Sequence, residues 1–252
     1  MNTHKLIAAG AVFLSTLLAG CGGGGASPAK ITVSDAQGVY EGTVSNGREH
    51  RTLILENNQF FTIYGNTGNG GFGVAGFIQG NGKTNSGNFS STDLKDFFAD
   101  GTMVSGSLSA SYVPKTSFNG SLTEGTSTVT FTGAPLKNSS YNYDTAANPA
   151  NIAGAWILAD LQGSTVAVSI SSSGALVGSM AGCAFNGTIN PRASGKNVFD
   201  VALTFDAISC RLAGQPATGI AIEYPLASGK RQLIIAGTDK ARANGTAFFG
   251  VR

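Results

Sequence analysis

Val198-Phe-Asp-Val-Ala-Leu-Thr-Phe-Asp206 is the stretch that reveals the fold most clearly. Its large apolar residues alternate with small or polar ones, so that Phe199, Val201, Leu203 and Phe205 share one face. A two-residue period is that of a β-strand with one buried face, whereas a helix repeats every 3.6 residues. The stretch therefore predicts a strand that covers a core.

The same alternation recurs along most of the chain. Thr126–Thr132 places Val129 and Phe131 opposite its threonines, and Asn57-Asn58 between two apolar runs is typical of a hairpin turn. Each half contains roughly eight such short strands, separated by glycine-rich turns. We therefore predict an all-β fold, with two tandem small antiparallel β-barrel or sandwich domains.

The domain boundaries follow from changes in composition. We expect an N-terminal β domain over residues 38–134, a linker rich in Asn, Ser and Ala over 135–150, and a C-terminal β domain over 151–252. Both domains open on an aromatic strand flanked by glycine, at Tyr40 and Trp156, and each contains a Phe-Asn-Gly strand, Phe118–Leu122 and Phe185–Ile189. These similarities suggest a weak internal repeat.

One segment breaks the β pattern. Ser90–Asp93 precedes Leu94, Phe97 and Phe98, a spacing typical of a capping box at the start of a short helix. Asp93, Asp96 and Asp100 could ligate Ca²⁺, but helical spacing does not wrap an ion as a calcium loop does. Capping of this helix explains Asp93 and Asp96 equally well.

The N-terminus has the features of an export signal. His4 and Lys5 precede an apolar run over Leu6–Leu18, which is shorter than the roughly 20 residues needed to span a bilayer. Small residues then lead to Cys21. We expect residues 1–20 to be a signal peptide and the glycine-rich residues 21–37 to be a flexible tether.

Leu18-Ala19-Gly20-Cys21 resembles the lipobox of bacterial lipoproteins. The resemblance implies that Cys21 becomes an acylated N-terminus, which would attach the mature chain to a lipid bilayer. Gly22 stands where inner-membrane lipoproteins often carry aspartate, so the resemblance implies the outer membrane. The alternative is an ordinary secreted protein in which Cys21 is lost or free.

Cys183 and Cys210 are the other two cysteines. An export signal implies an oxidising compartment, in which an even pair forms a disulfide. The pair would close a loop of about 27 residues and stabilise the fold by roughly 3–4 kcal/mol.

Two β domains on a lipid tether resemble, in architecture only, the surface lipoproteins of Gram-negative bacteria, such as the transferrin-binding type. No motif supports assigning ligand residues of that family to this chain. Nucleic acid is excluded as a partner, because the formal net charge is only +2 and no basic patch stands out.

The sequence contains only weak matches to catalytic and cofactor-binding motifs. His50 lies between two charged residues. It could act as a general base or a metal ligand, or it could simply belong to a solvated polar loop. We expect the solvated loop. Gly68–Gly73 matches a dinucleotide-binding pattern, but a strand and not a helix follows it. We predict no catalytic residue, no metal site and no cofactor.

Aromatic residues are concentrated in the first half of the chain. Phe72, Phe97 and Phe98 could form a binding surface, or they could belong to the core. The sequence therefore predicts a non-enzymatic envelope lipoprotein with a binding or structural role and a possible protein partner. Two alternatives stay open: a lipocalin-like carrier of a small apolar ligand, and an envelope hydrolase that uses Asp or Glu.

Overall fold

The computed structural model of the chain describes residues 35–68, 71–137, 139–206, 210 and 212–252. The predicted signal peptide, Cys21 and nearly all of the predicted tether lie outside these residues. The described residues contain a 3₁₀ turn at Pro149–Asn151 and sixteen strands. The strands are β1 (Gly38–Val44), β2 (Glu49–Ile54), β3 (Gln59–Gly68), β4 (Gly71–Asn85), β5 (Asn88–Phe98), β6 (Met103–Val113), β7 (Ser117–Glu124), β8 (Ser127–Pro135), β9 (Gly154–Ala159), β10 (Thr165–Ile170), β11 (Ala175–Met180), β12 (Cys183–Pro191), β13 (Phe199–Phe205), β14 (Pro216–Pro225), β15 (Arg231–Asp239) and β16 (Gly245–Val251).

The strands form two closed antiparallel barrels, each an up-and-down meander of eight strands. Barrel 1 comprises β1 to β8 and closes where β8 pairs with β1. Barrel 2 comprises β9 to β16 and closes where Phe249 of β16 pairs with Ala159 of β9. Closure leaves no unpaired strand edge. The predicted all-β fold with two tandem β-barrels is confirmed.

The alternating stretch Val198–Asp206 contains β13. Phe199, Val201, Leu203 and Phe205 are buried, and the residues between them are exposed. The predicted turn at Asn57-Asn58 is also present, since it joins β2 to β3 and Asn58 adopts a left-handed φ of 65°. Local alternation and turn chemistry were therefore sufficient signals for these elements.

The first strand of each barrel carries a fully buried aromatic side chain in the same arrangement. The hydroxyl of Tyr40 donates to the carbonyl of Ala36 at 3.0 Å, and the indole N–H of Trp156 donates to the carbonyl of Ile152 at 2.7 Å. In both cases the acceptor lies four residues earlier in the chain. The Phe-Asn-Gly strands do not correspond in this way, because they form the seventh strand of barrel 1 and the fourth of barrel 2.

The predicted disulfide is confirmed. Cys183 at the start of β12 is bonded to Cys210, which follows β13, and their Cα atoms are 4.8 Å apart. β12 and β13 are already neighbours in barrel 2. The disulfide therefore attaches the segment after β13 to the barrel wall.

The predicted helix after Ser90 is wrong, because these residues belong to β5. A register shift between Ser91 and Leu94 inserts an extra residue opposite β6, so that both side chains are buried although they lie three residues apart. The hydroxyl of Ser91 accepts from the backbone N–H of Asp93 at 3.1 Å, as it would in a cap. A β-bulge thus produced the spacing that resembled a capping box.

The two barrels pack against each other through a mixed apolar cluster. Phe61, Phe77 and Phe97 of barrel 1 belong to the same buried cluster as Ile222 and Tyr224 of barrel 2. Phe61 points outward into this cluster because its neighbour Phe60 fills the interior of barrel 1. The outer face of each barrel is therefore apolar where the other barrel covers it.

A glycine permits this close approach. A Cβ atom on Gly245 of β16 would lie 2.7 Å from the Phe77 ring and 2.8 Å from the Phe97 ring. The two rings stack on each other with centroids 4.8 Å apart. Any side chain at position 245 would have to displace this stack.

Charged contacts border the apolar cluster. Arg192 of barrel 2 forms an ion pair with Glu56 of barrel 1 at 2.8 Å, and Arg242 donates to the carbonyl of Gln79 at 2.8 Å. The segment between the barrels adds Tyr143, whose hydroxyl donates to Glu56 at 3.1 Å.

Within the described residues, we find no helix with the length and apolarity that crossing a bilayer requires.

Candidate functional site

The interior of barrel 2 is filled by apolar side chains. Its core comprises Trp156, Phe185, Phe199, Phe205, Phe248 and the aliphatic residues around them. Phe185 packs against Phe205 and Phe248, with ring centroids 5.3 and 5.2 Å apart. Among the described residues of this barrel, a space of only about 10 Å³ lies against the wall, which is too small for a ligand.

Barrel 1 is filled at one end and hollow at the other. The filled end holds Tyr40, Phe60, Phe89 and Phe118, and Ala36 is buried against it. The hollow end contains a cavity of about 120 Å³, which we call the barrel 1 cavity. Its lining residues are Val44, Asn46, Arg48, His50, Thr52, Thr62, Tyr64, Ile78, Asp96, Phe98, Leu108, Phe118, Leu122, Glu124, Val129 and Phe131.

The sequence places these side chains inward by simple alternation. His50 and Thr52 lie on β2, and Thr62 and Tyr64 lie opposite them on β3. Residues between them, such as Arg51, face outward. The cavity extends from the exposed Asn46 at its mouth to His50, which is 3% exposed.

His50 is held by a chain of hydrogen bonds. Its Nε2 lies 2.9 Å from the carbonyl of Thr132, which can only accept, so Nε2 carries the proton. Its Nδ1 then accepts from the hydroxyl of Thr52 at 3.0 Å, and Thr52 in turn lies 2.8 Å from the hydroxyl of Thr62. Burial lowers the pKa of His50, so the ring is neutral near pH 7.

The expected position of His50 in a solvated loop is therefore wrong. β2 begins at Glu49, one residue before the histidine, and alternation then turns His50 into the barrel. The missed signal was the inward set formed by His50, Thr52 and Ile54, which continues across the turn into Phe60 and Thr62.

Asp96 and Glu124 form a carboxyl pair in the wall of the cavity. The Asp96 side chain is 4% exposed and accepts from the hydroxyl of Tyr64, which lies 2.8 and 3.0 Å from its two oxygens. Burial, followed by the nearby charge of Glu124, raises the pKa of Asp96 to about 8. Burial also raises the pKa of Glu124. Near pH 7 the two carboxyl groups therefore hold a proton between them.

A glycine makes the Tyr64–Asp96 hydrogen bond possible. Tyr64 lies on β3 and Asp96 on β5, with β4 between them. A Cβ atom on Gly76 of β4 would lie 2.2 Å from the Tyr64 hydroxyl oxygen. Only glycine at this position lets the phenol cross β4 and reach the carboxyl group.

Two groups in the cavity lack a full set of partners. The Oε1 atom of Glu124 is shielded from solvent and has no hydrogen-bond partner among the described residues. The guanidinium of Arg48 lies 5.3 Å from the centre of the Tyr64 ring, and no carboxylate of the described residues lies within ion-pair distance of it. A buried acceptor and a cation that forms no ion pair among the described residues therefore face the same space.

The three aromatic residues predicted as a binding surface lie in three different places. Phe98 lines the barrel 1 cavity, and Phe97, on the opposite face of β5, is 3% exposed in the contact between the barrels. Phe72 lies under the guanidinium of Arg51 at 5.0 Å and lines a separate groove of about 430 Å³. Only Phe98 belongs to the cavity.

The remaining sequence motifs do not converge on a metal or cofactor site. Asp93 pairs with Arg242 on the outer face of barrel 1, and Asp100 accepts from Thr102 in the turn after β5. Gly68–Gly73 forms the end of the β3–β4 hairpin. Within the described ranges, we find no group of three or more His, Cys, Asp or Glu side chains able to hold a metal ion.

The chemistry available in the cavity is limited by its size. Two carboxyl groups that hold a proton between them could in principle act as acid and base. However, ligand pockets for drug-sized molecules are about 300–1,000 Å³, against about 120 Å³ here. The arrangement suits the enclosure of a small molecule better than the cleavage of a large one.

Comparison with known proteins gives no family. No protein-family model and no curated protein matches the chain. A solved structure of the isotype 1 transferrin binding protein B from serogroup B Neisseria meningitidis is similar at a TM-score of 0.25 and 8% identity. The match covers 82% of this chain and 66% of that one, so this chain spans just under two thirds of its length. Likeness at this level carries no argument about function.

Proposed function

We propose that this protein is a membrane-anchored envelope lipoprotein that binds a small ligand in barrel 1 without chemically changing it. Acylated Cys21 would attach it to the outer membrane, and barrel 2 would serve as a rigid support. The main support for a binding role is the barrel 1 cavity. It is lined by Glu124, whose buried acceptor oxygen has no hydrogen-bond partner, and by Arg48, which forms no ion pair among the described residues. The described core of barrel 2 is filled by apolar side chains instead.

Buried polar groups are costly unless they are satisfied, so a ligand that supplies the missing partners would be bound favourably. A lipocalin-like carrier of an apolar ligand fits less well. Barrel 2 is filled, and the cavity of barrel 1 is small and lined in part by His50, Asp96 and Glu124.

The carboxyl pair favours a second candidate, an envelope hydrolase that uses Asp96 and Glu124. Glycoside cleavage requires two carboxyl groups on opposite sides of a sugar bond, with room for the sugar between them. Here both groups share a hydrogen bond and Tyr64 occupies one of them. We therefore rank binding above hydrolysis.

A matched pair of variants on β8 tests the binding role. Val129→Trp would fill the cavity, whereas Thr130→Trp places the same side chain on the exposed face of the same strand. Protein purified under native conditions would be denatured, and released small molecules would be identified by mass spectrometry. We expect a small molecule in the wild type and in Thr130→Trp but not in Val129→Trp. Equal recovery from all three, or none from any, would overturn the proposal.

Turnover assays separate binding from hydrolysis. Chromogenic glycoside and ester substrates should give no turnover above background with the wild-type protein. A turnover that disappears in Glu124→Gln but not in Lys95→Gln, which lies on the outer face, would favour the hydrolase.

The anchor has its own test. Cys21→Ser should abolish labelling by radioactive palmitate and release the protein from the membrane fraction, whereas Ser27→Ala should change neither. An unchanged membrane fraction for Cys21→Ser would contradict the lipoprotein assignment.

A further inference from the structure

The barrel 1 cavity presents an acceptor and a cation to whatever enters it. Glu124 supplies a shielded acceptor oxygen without a donor, and Arg48 supplies a cation without a carboxylate partner among the described residues. Both side chains line the same cavity of about 120 Å³. A ligand that satisfies both needs a donor cation at one end and an anion at the other.

From this geometry we infer that the barrel 1 cavity binds a small zwitterion, namely a free α-amino acid with a short aliphatic side chain. The ammonium group would donate to Glu124, and the carboxylate would accept from Arg48. This inference rests on the proposed binding function, since it names the ligand class of the same site.

Charge balance favours a zwitterion over a simple amine or a simple acid. An unpaired charge inside a low-dielectric space is expensive, and an amine alone would leave Arg48 unpaired. An acid alone would leave the acceptor oxygen of Glu124 without a donor. A zwitterion adds no net charge and pairs both groups, and Arg can bind a carboxylate with two parallel hydrogen bonds.

Size and apolarity select among zwitterions. One water needs about 10–15 Å³ of such space, so the cavity of about 120 Å³ holds on the order of eight to twelve non-hydrogen atoms. Valine fits within this range, whereas most dipeptides exceed it. The rest of the lining is mostly aliphatic or aromatic, including Ile78, Leu108, Leu122 and Phe98, and would contact a branched side chain.

Binding of defined probes to the wild-type protein is the direct test. After any co-purified ligand is removed by partial unfolding and refolding, L-valine would be titrated into the protein by calorimetry. Isovalerate, which lacks the ammonium group, and isobutylamine, which lacks the carboxylate, would be titrated in parallel. We expect each to bind at least tenfold more weakly than L-valine.

Two variants assign the charges. Glu124→Gln keeps the shape of the side chain, Arg48→Gln shortens it and removes its charge, and each should weaken L-valine binding at least tenfold. Lys95→Gln, which removes a charge from the outer face of barrel 1, should bind like the wild type. Circular dichroism would establish that each variant is folded. The comparison of L-valine, isovalerate and isobutylamine uses the wild-type protein, so it tests the inference even if a variant does not fold.

Three outcomes would overturn the inference. These are no binding of L-valine, alanine or glycine to the wild type, equal binding of isovalerate or isobutylamine, or L-valine binding that both variants leave unchanged. If one of these outcomes is observed but a small molecule co-purifies with the wild type and is lost in Val129→Trp, the inference fails while the proposed binding function stands. If no small molecule co-purifies with the wild type, both fail.

Discussion

Barrels 1 and 2 share one framework but differ in what fills it. Both are eight-stranded meanders whose first strand carries a buried aromatic residue bonded to a carbonyl four residues earlier. The buried core of barrel 2 is built from aromatic and aliphatic residues, and the buried Glu223 of β14 is paired with Arg231 of β15. Barrel 1 instead turns His50, Asp96 and Glu124 toward its interior.

The difference between the two barrels shows that a cavity lined by polar residues can arise without any change of fold. Strand number, order and closure are the same in both barrels, so the site depends on the residues at inward positions near one end of barrel 1. Polar side chains there prevent complete filling because they need partners, and the aromatic residues at the other end stabilise the barrel. The described residues of barrel 2 pack into an apolar core that stabilises the barrel.

The largest contrast should appear on truncating one phenylalanine in each barrel. Phe185→Ala removes a fully packed ring from barrel 2 and should lower the free energy of unfolding by about 3–5 kcal/mol. Phe98→Ala should cost less than about 2 kcal/mol, because that ring is only partly buried and already borders a cavity. Urea titration of both variants measures this, and equal losses would contradict the view that the two interiors differ.

The disulfide should matter almost as much, and only to barrel 2. Cys183→Ser combined with Cys210→Ser should lower stability by about 3–4 kcal/mol, since the loop it closes spans 27 residues. Trp156 is the single tryptophan of the chain and lies in barrel 2, so its fluorescence follows this loss. Cys21→Ser is the control and should leave the transition unchanged. An unaltered midpoint in the double variant would show that barrel 2 does not depend on the bond.

A smaller effect is expected where the barrels meet. Gly245→Val forces a side chain into the Phe77–Phe97 stack and should cost about 2 kcal/mol through overpacking. Gly73→Val, on the exposed β3–β4 hairpin, has no close neighbour to displace and should cost nothing measurable. Thermal unfolding of both variants tests whether this contact contributes to stability, and similar melting temperatures would argue against it.

The last prediction concerns the pH dependence of stability. Asp96 has a pKa near 8 in the folded protein and near 4 in the unfolded chain, so its contribution is fully present below about pH 4 and is lost as the pH rises toward 8. Asp96→Asn stays neutral, so its stability relative to the wild type should increase between pH 4 and pH 8.

Asp93→Asn is the matched control on the outer face. Burial alone would raise the pKa of Asp93, but hydrogen bonds from Asn81 and Arg242 hold it below its usual value. Its contribution is present above about pH 4 and is lost in acid, so Asp93→Asn should destabilise the protein at pH 7. Urea titrations at pH 4, 6 and 8 compare the two variants. Parallel curves for wild type and Asp96→Asn would show that the carboxyl group is not held protonated.

The barrels were predictable from sequence because strand alternation is local. Phe199–Phe205 and the turn at Asn58 needed no knowledge of distant residues. The disulfide followed from cysteine parity and an export signal. The helix predicted around Ser91 and Leu94 was wrong for an equally physical reason, because a β-bulge gives a strand the residue spacing of a helix cap.

The cavity was not predictable because its parts come from different strands. His50, Asp96 and Glu124 lie on β2, β5 and β7, and barrel closure alone brings them to one space. The outward position of Phe97 likewise depends on a second barrel that covers it. Alternation tells which residues share a face, but it does not tell whether that face is filled, hollow or covered.

The direction of β1 determines how the cavity is presented to the surroundings. The described chain begins beside the filled end of barrel 1, where Ala36 packs, and β1 then runs toward the mouth near Asn46. A strand of seven residues covers about 20 Å. The described chain therefore enters barrel 1 at the end away from the mouth. Solutes that reach the opening meet the barrel at the opposite end, about one strand length from the point of entry.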